Sequence, residues 1–153
     1  MSDLFKIKEV RISSVEYSKS LKLREQVLRE PLGLVITQEQ IENEKKRNYY
    51  HFIAKKKKEI VSALTMKVNP NSIQTCQIAT KKEYRGNGIG KNLLEFGEKN
   101  ISSLFKKKEF VVFSRLNSLH FYKKSNYEFK NHRIYLINGI EHRLLKKTCG
   151  NTV

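Results

Sequence analysis

Cysteine is scarce in this sequence: Cys76 and Cys149 are its only two among 153 residues. They lie far apart, and neither has a second cysteine or a histidine nearby at metal-ligand spacing. Cytosolic disulfides are rare and a zinc site needs several such ligands, so we expect a buried thiol, a tail thiol and no metal. The scarcity argues against a disulfide-stapled domain and against a zinc protein.

Long apolar runs are also missing. No stretch approaches the roughly 20 residues that span a membrane, and the N-terminus lacks the basic-then-apolar layout of a signal peptide. We therefore expect a cytoplasmic protein without membrane contact. The sequence contains 39% hydrophobic and 30% charged residues, as is typical of globular proteins. Without repeats or a linker, it predicts one domain over residues 1–147 and a polar tail over residues 148–153.

Acidic residues are few: 15 Asp and Glu stand against 31 Lys and Arg, which gives a formal net charge of +16. Such an excess is compatible with nucleic acid, with an anionic substrate, or with a lysine-rich solvated surface. The lysines form short clusters where we expect turns and element ends. No basic helix with interleaved aromatic residues is present, which argues against nucleic acid as a partner.

The hydrophobic pattern predicts strands and helices in a definite order. Strands are predicted over residues 5–13, 51–55, 60–68, 73–80, 110–113, 127–130, 133–137 and 140–146, and helices over 16–29, 38–46, 89–105 and 117–124. Three antiparallel strands in succession argue against a doubly wound nucleotide-binding fold. Gly97 lies on the apolar face of the long helix, which predicts close packing against the sheet.

A glycine-rich turn over residues 84–91 lies between a predicted strand and the long helix. Gly86, Gly88 and Gly90 stand at alternate positions. Glycine lets the backbone curl tightly and present successive N–H groups, and the helix N-terminus adds partial positive charge. The turn therefore predicts a pyrophosphate site, although these residues alone do not name the nucleotide.

Two motifs carry a resemblance to a known family. The segment Arg85 to Gly90 resembles the R/Q-x-x-G-x-G/A signature of the GNAT superfamily of N-acetyltransferases. Residues 115–124, in which Asn117 precedes Phe121 and Tyr122, are similar to its second signature. The resemblance implies an α+β fold. This fold has a mixed, mostly antiparallel sheet of about six to seven strands, about four flanking helices and a V-shaped splay between the fourth and fifth strands.

The resemblance also implies acetyl-CoA as the co-substrate, held in that V. Backbone groups of three residues would pair with the pantetheine: Ile78, Ala79 and Thr80. Backbone N–H groups of the turn would bind the pyrophosphate: Arg85, Gly86, Asn87, Gly88, Ile89, Gly90 and Lys91. Asn117 would hydrogen-bond the pantetheine and Phe121 would pack on it. Asn117 has a second interpretation as the N-cap of the short helix, and both roles can hold together.

The implied reaction is transfer of the acetyl group to a primary amine by direct attack in a ternary complex. Tyr122 matches the family's general acid, which protonates the CoA thiolate; its alternative is an aromatic packing residue. His142, in a late strand, is the candidate general base, and its alternative is a structural histidine. Arg24, Glu30 and Leu32 are the residues that we expect to line the acceptor pocket.

Three questions are left open by the sequence. A GNAT-like module that binds acyl-CoA without turnover, as a sensor or partner protein, is the alternative to an enzyme; the complete glycine turn and Tyr122 favour the enzyme. The acceptor is a small molecule or a protein amine. Residues 23–34 and 139–146 resemble one branch of small bacterial members. The oligomeric state is open, and the resemblance is compatible with a homodimer that forms through the late strands.

Overall fold

The computed structural model describes residues 5–107 and 109–148. Within these ranges the chain forms four α-helices: α1 (Val15–Arg24), α2 (Gln38–Glu44), α3 (Ile89–Leu104) and α4 (Leu119–Lys124). The strands in the same ranges are β1 (Phe5–Val10), β2 (Tyr49–Lys56), β3 (Glu59–Val68), β4 (Ser72–Thr80), β5 (Glu109–Arg115), β6 (Glu128–Phe129), β7 (Tyr135–Ile137) and β8 (Ile140–Thr148). The tail predicted over 148–153 lies outside the described residues except for Thr148, and so does the predicted tail thiol of Cys149.

The strands form one mixed sheet in the order β1-β2-β3-β4-β5-β8-β6, with β7 also paired to β8. Only β4 and β5 run parallel among the strand pairs of the described residues. The predicted mixed, mostly antiparallel sheet with four helices is therefore confirmed. Its eight strands exceed the expected number because two short strands, β6 and β7, both pair with β8.

The parallel pairing of β4 with β5 is short. It runs from Ser72 opposite Glu109 to Thr75 opposite Val112. Beyond that pair, β4 continues to Thr80 and β5 to Arg115, and these described residues make no further ladder with one another. The two strands therefore splay at their carboxyl ends, which confirms the predicted V.

Helices cover both faces of the sheet. Alternate residues of β3 point to opposite faces, so Leu64 lies in the core beneath α3 and α4, whereas Ala63 lies in the core beneath α1. Gly97 explains how closely α3 approaches: a Cβ there would lie 2.6 Å from Leu64 Cδ2 and 2.9 Å from Met66 Sδ. The predicted close packing at Gly97 is thus observed.

The chain between α1 and α2 departs from the predicted helix over residues 16–29. After α1 ends, Glu25–Arg29 forms a π-helical turn and Glu30–Leu32 a 3-10 turn, which Gly33 closes at φ 71°. Pro31 lacks a backbone N–H and cannot continue the helix. Arg115 in β5 donates from its Nη2 to the Leu28 carbonyl at 2.7 Å, so this carbonyl has a partner outside the helix. None of the helices in the described ranges is long and apolar enough to span a membrane.

Candidate active site

The last residues of β4 form one wall of the V. Ile78, Ala79 and Thr80 pair with β3 on one side only. Their other side faces the gap, where the described residues of β5 form no ladder with them. Backbone N–H and C=O groups on such an edge can pair with an extended ligand as if it were a further strand. The three residues predicted to meet pantetheine therefore lie together on a suitable edge.

The glycine turn stands at the end of that wall. Gly86 and Gly88 adopt left-handed backbone conformations, at φ 83° and 80°. No described residue accepts a hydrogen bond from the backbone N–H of Gly86, Asn87 or Gly88, and all three are exposed. Lys91 lies exposed in the first turn of α3, with its Nζ 3.9 Å from Glu95 Oε2. Ile89, the first residue of α3, is buried. The turn before it offers free backbone N–H donors to an anion.

The turn is tied to β4 and to α4. Arg85 Nε donates to the Thr80 carbonyl at 3.0 Å. A Cβ at Gly90 would lie 3.1 Å from Thr80 Oγ1 and 3.3 Å from Phe121 Cε1, so this position is tight for any side chain. The Thr80 hydroxyl is already hydrogen-bonded to Ser62 Oγ at 2.8 Å. Phe121 therefore lies directly against the first turn of α3.

Asn117 lies in the short 3-10 turn Leu116–Ser118, before α4. The N-cap of α4 is Ser118, and no side chain makes the capping bond. The interpretation of Asn117 as the cap is therefore wrong. Its Oδ1 accepts a hydrogen bond from Ser118 Oγ at 3.4 Å, and the side chain is exposed. The amide is accordingly available to a ligand in the V.

Tyr122 is 6% exposed and packs in the core under α3. Its ring meets Phe121 and Tyr127 edge-on, with centroids 5.0 and 5.6 Å away. None of the described residues forms a hydrogen bond with its hydroxyl, whereas the Tyr127 hydroxyl donates to Glu98. Burial raises the pKa of Tyr122 above its ordinary value, and the charge of Arg115 opposes that rise. The phenol therefore holds its proton at neutral pH, and burial makes it a weaker acid than a free tyrosine.

A cavity of about 270 Å³ lies on the α1–α2 face of the sheet. It is lined by Arg29, Thr37, Glu39, Gln40, Asn43, Glu44, Tyr49, Cys76 and Gln77. Cys76 follows the last parallel pair of β4 and sits at a register shift, where Gln77 and Thr75 pair with consecutive residues of β3. The cavity therefore reaches β4 where the V opens. Burial raises the pKa of the Cys76 thiol to about 12, which keeps it neutral.

The charge of Arg115 acts both on Arg29, which lines the cavity, and on Tyr122. It opposes the rise that burial causes in the pKa of Tyr122. The pKa of Arg29 is lowered first by burial and then by the charge of Arg115. The Arg115 Nη2 bond to the Leu28 carbonyl holds the α1–α2 connection against β5. Arg115 is therefore close enough to both Arg29 and Tyr122 for its charge to affect the pKa of each.

The three predicted pocket residues are dispersed. Arg24 is fully buried and donates to Glu44 at 2.7 and 2.9 Å and to Gln77 at 2.9 Å. Glu30 and Leu32 lie exposed in the 3-10 turn that follows Arg29, and none of the three lines the cavity. Their role in acceptor binding stays a prediction. Arg29, which lines the cavity, was not among the predicted pocket residues. The only local signal was its position shortly before the Pro31-Leu32-Gly33 turn.

His142 lies in β8 directly opposite Arg115 and is 8% exposed. Its Nδ1 is 2.8 Å from the Ile140 carbonyl, which can only accept. Nδ1 therefore carries a proton, and in the neutral form of the ring Nε2 has a free lone pair. The ring is chemically able to accept a proton, and its catalytic role stays a prediction.

A mixed sheet with one splayed parallel pair and a glycine turn beside it is typical of the acyltransferase class of fold. The family comparison agrees: residues 20–149 match the model described as an acetyltransferase (GNAT) domain. The chain therefore belongs to the GNAT acetyltransferase family. Among the described residues, no group of three or more His, Cys, Asp or Glu side chains is arranged to hold a metal ion.

Solved structures show the same fold over nearly the whole chain. A Lactobacillus plantarum protein assigned to the N-acetyltransferases has a TM-score of 0.81 and 18% identity, over 95% of this chain and 98% of that one. The ribosomal-protein-S18-alanine N-acetyltransferase of Escherichia coli has a TM-score of 0.78 and 12% identity, over 97% and 96%. An aminoglycoside 6'-N-acetyltransferase complexed with coenzyme A has a TM-score of 0.77 and 16% identity, over 97% and 99%. A comparison with curated protein sequences finds no significant match.

Proposed function

We propose that the protein is an acetyl-CoA-dependent N-acetyltransferase that acts on a primary amine by direct attack in a ternary complex. One combination of features supports the proposal: β4 keeps an unpaired edge where it parts from β5, and the N–H groups of the glycine turn have no partner among the described residues. The buried phenol of Tyr122 completes it, because it lies within reach of the charges of Arg115 at the end of β5 and of Cys76 in β4. Two structural neighbours support the co-substrate, because one is complexed with coenzyme A and another, from Elizabethkingia anophelis, has acetyl-CoA bound.

In this proposal, the edge of Ile78 to Thr80 pairs with the pantetheine arm, and the N–H groups of the glycine turn bind the pyrophosphate. Phe121 and Asn117 contact the same arm from the α4 side. Two charged side chains near the turn, Arg85 and Lys91, add positive charge for the phosphates. In this arrangement the thioester would lie at the open end of the V.

The chemistry needs a neutral amine and a proton for the leaving sulfur. The amine nitrogen attacks the thioester carbonyl from the cavity face, the C–S bond breaks, and the sulfur takes the proton of the Tyr122 hydroxyl. A phenol is a weaker acid than a thiol, so this transfer requires the hydroxyl to be held at the sulfur as the bond breaks. The charge of Arg115 opposes the rise in the pKa of Tyr122, so it makes the phenol a stronger acid than burial alone would. His142 Nε2 is our candidate for the base that takes the amine proton.

The proposal is tested by measuring free thiol released from acetyl-CoA across a panel of primary amines and lysine peptides. We expect amine-dependent release together with an acetylated product seen by mass spectrometry. Acetyl-CoA binding without release for any amine would favour the module that binds acyl-CoA without turnover. Absence of acetyl-CoA binding would contradict both interpretations.

A further inference from the structure

The cavity on the α1–α2 face contains a guanidinium group that no carboxylate neutralises within the described residues. Arg29 takes part in none of the ion pairs of those residues. Its Nη2 donates to the uncharged Gln40 Oε1 at 3.2 Å. Its Nε is buried without a partner, and Nη1 makes no hydrogen bond with a described residue. The cavity lining therefore includes a positively charged side chain whose Nε and Nη1 have no hydrogen-bond partner among the described residues.

Two carboxylates near Arg29, those of Glu44 and Glu25, are already occupied, and a third, Glu39, lines the same cavity but is exposed. Glu44 accepts from Arg24 at 2.7 and 2.9 Å, from Tyr17 at 2.8 Å and from Gln40 at 3.1 Å, which uses its acceptor sites. Glu25 Oε2 accepts from the backbone N–H of Ile36 at 2.8 Å. Burial, followed by the charges of Arg115 and Arg24, lowers the pKa of Arg29. The charge of Glu44 opposes that shift. Arg29 therefore remains a guanidinium without a carboxylate partner among the described residues, in a lining that also carries Glu39 and Glu44.

We propose that Arg29 binds a carboxylate on the acceptor, so that the acceptors are small primary amines that also carry a carboxylate. An arginine fork forms strong, charge-assisted bonds with such a group. The inference rests on the proposed acetyl transfer. The cavity and the proposed acetyl-CoA site are linked by position, because the cavity reaches Cys76 where the V opens. Its volume of about 270 Å³ suits a small molecule, and Arg29, the one cation among the described residues that line it, suits a single carboxylate.

The test uses ω-amino acids of increasing chain length, each compared with the ω-amino amide of the same length. In these pairs the charge changes far from the reacting nitrogen. We expect the wild-type protein to favour the acid of the best pair at least about tenfold in kcat/KM. Arg29→Gln should bring this ratio to about one, chiefly by raising KM for the acid, and Arg29→Lys should keep part of the preference.

Arg11→Gln is the matched control, because Arg11 is exposed in the β1–α1 connection, outside the residues that line the cavity. It should leave the preference for the acid unchanged. Both kcat/KM values of a ratio are measured on the same protein sample. A lower fraction of folded protein therefore reduces both values equally and leaves the acid-to-amide ratio unchanged. If Arg29→Gln does not fold, the wild-type ratio and Arg29→Lys decide.

Two failures are distinguishable in this experiment. If the wild-type protein acetylates amines without preferring the acid, or if Arg29→Gln keeps the preference, the role of Arg29 is overturned while acetyl transfer stands. If no amine in the panel or in any pair is acetylated, the proposed function itself fails, and this inference falls with it.

Discussion

The buried ion pair between Arg24 and Glu44 supports the floor of the cavity, and its loss has a calculable cost. Their side chains are 0% and 2% exposed, and their closest atoms lie 2.7 Å apart. Arg24 belongs to α1 and Glu44 to α2, and Arg24 also donates to Gln77 in β4. The pair therefore joins three elements around the proposed acceptor site.

Glu44→Gln is the perturbation that we develop. The carboxylate accepts four hydrogen bonds, two from Arg24, one from Tyr17 and one from Gln40. Glutamine offers one oxygen and turns an NH₂ group toward those donors, which leaves the guanidinium charged and buried. Breaking a buried pair in this way costs about 3–5 kcal/mol. At about 2–4 °C per kcal/mol, the melting temperature should fall by about 6–20 °C.

Urea unfolding followed by circular dichroism measures this loss. With a slope of about 1–3 kcal/mol per molar, the midpoint should fall by about 1 M or more. Glu42→Gln is the matched control, because Glu42 lies on the same helix but is exposed and pairs with Lys45 at the surface. That variant should unfold at the wild-type midpoint within error.

An equal midpoint for Glu44→Gln and Glu42→Gln would refute the argument. The double variant Arg24→Met with Glu44→Met provides a second check, because it leaves no unpaired charge in the interior. It should be more stable than Glu44→Gln alone. A less stable double variant would show that packing, and not the unpaired charge, sets the cost.

Two further predictions concern other buried positions. Gly97→Ala should destabilise the protein by about 1–3 kcal/mol, because the new methyl group would press on Leu64 and Met66; an unchanged melting temperature would contradict the packing. Burial lowers the pKa of His51, so the unfolded chain binds this proton more readily than the folded protein. The free energy of unfolding should therefore decline as pH falls below about 6.5, by at most about 1.4 kcal/mol per pH unit. In urea titrations His51→Gln should weaken that decline, and an equally steep decline would count against the assignment.

The glycine turn was predictable because its determinants are local. An apolar strand, glycines at alternate positions and a helical apolar face each depend on neighbouring residues in the sequence. Left-handed φ angles at Gly86 and Gly88 are what such a turn requires. By contrast, the V between β4 and β5 followed from the family resemblance, since no local pattern determines where two strands stop pairing.

The acceptor side was harder to predict because its contacts are long-range. Arg115 reaches the Leu28 carbonyl across 87 residues, and this bond accompanies the π-helical turn that carries Arg29. Arg24 was expected in the pocket, but its pairing with Glu44, 20 residues away, draws it into the interior. Hydrophobic periodicity gives no information about such pairings.

Tyr122 and Tyr127 allow the account's central claim to be tested with two matched substitutions. Their rings are neighbours, but only the Tyr127 hydroxyl is hydrogen-bonded, to Glu98, within the part of the chain that the structure describes. Tyr122→Phe should therefore keep the wild-type stability and acetyl-CoA affinity, whereas Tyr127→Phe should lose stability.

The decisive measurement is the steady-state rate of thiol release from acetyl-CoA, with the best amine of the panel, for these two variants and the wild-type protein. As loss of a general acid, Tyr122→Phe should reduce kcat about 100-fold or more. Folded Tyr127→Phe should turn over at a rate close to that of the wild-type protein. Undiminished turnover by Tyr122→Phe would contradict the assignment of this phenol as the proton donor to the leaving thiolate.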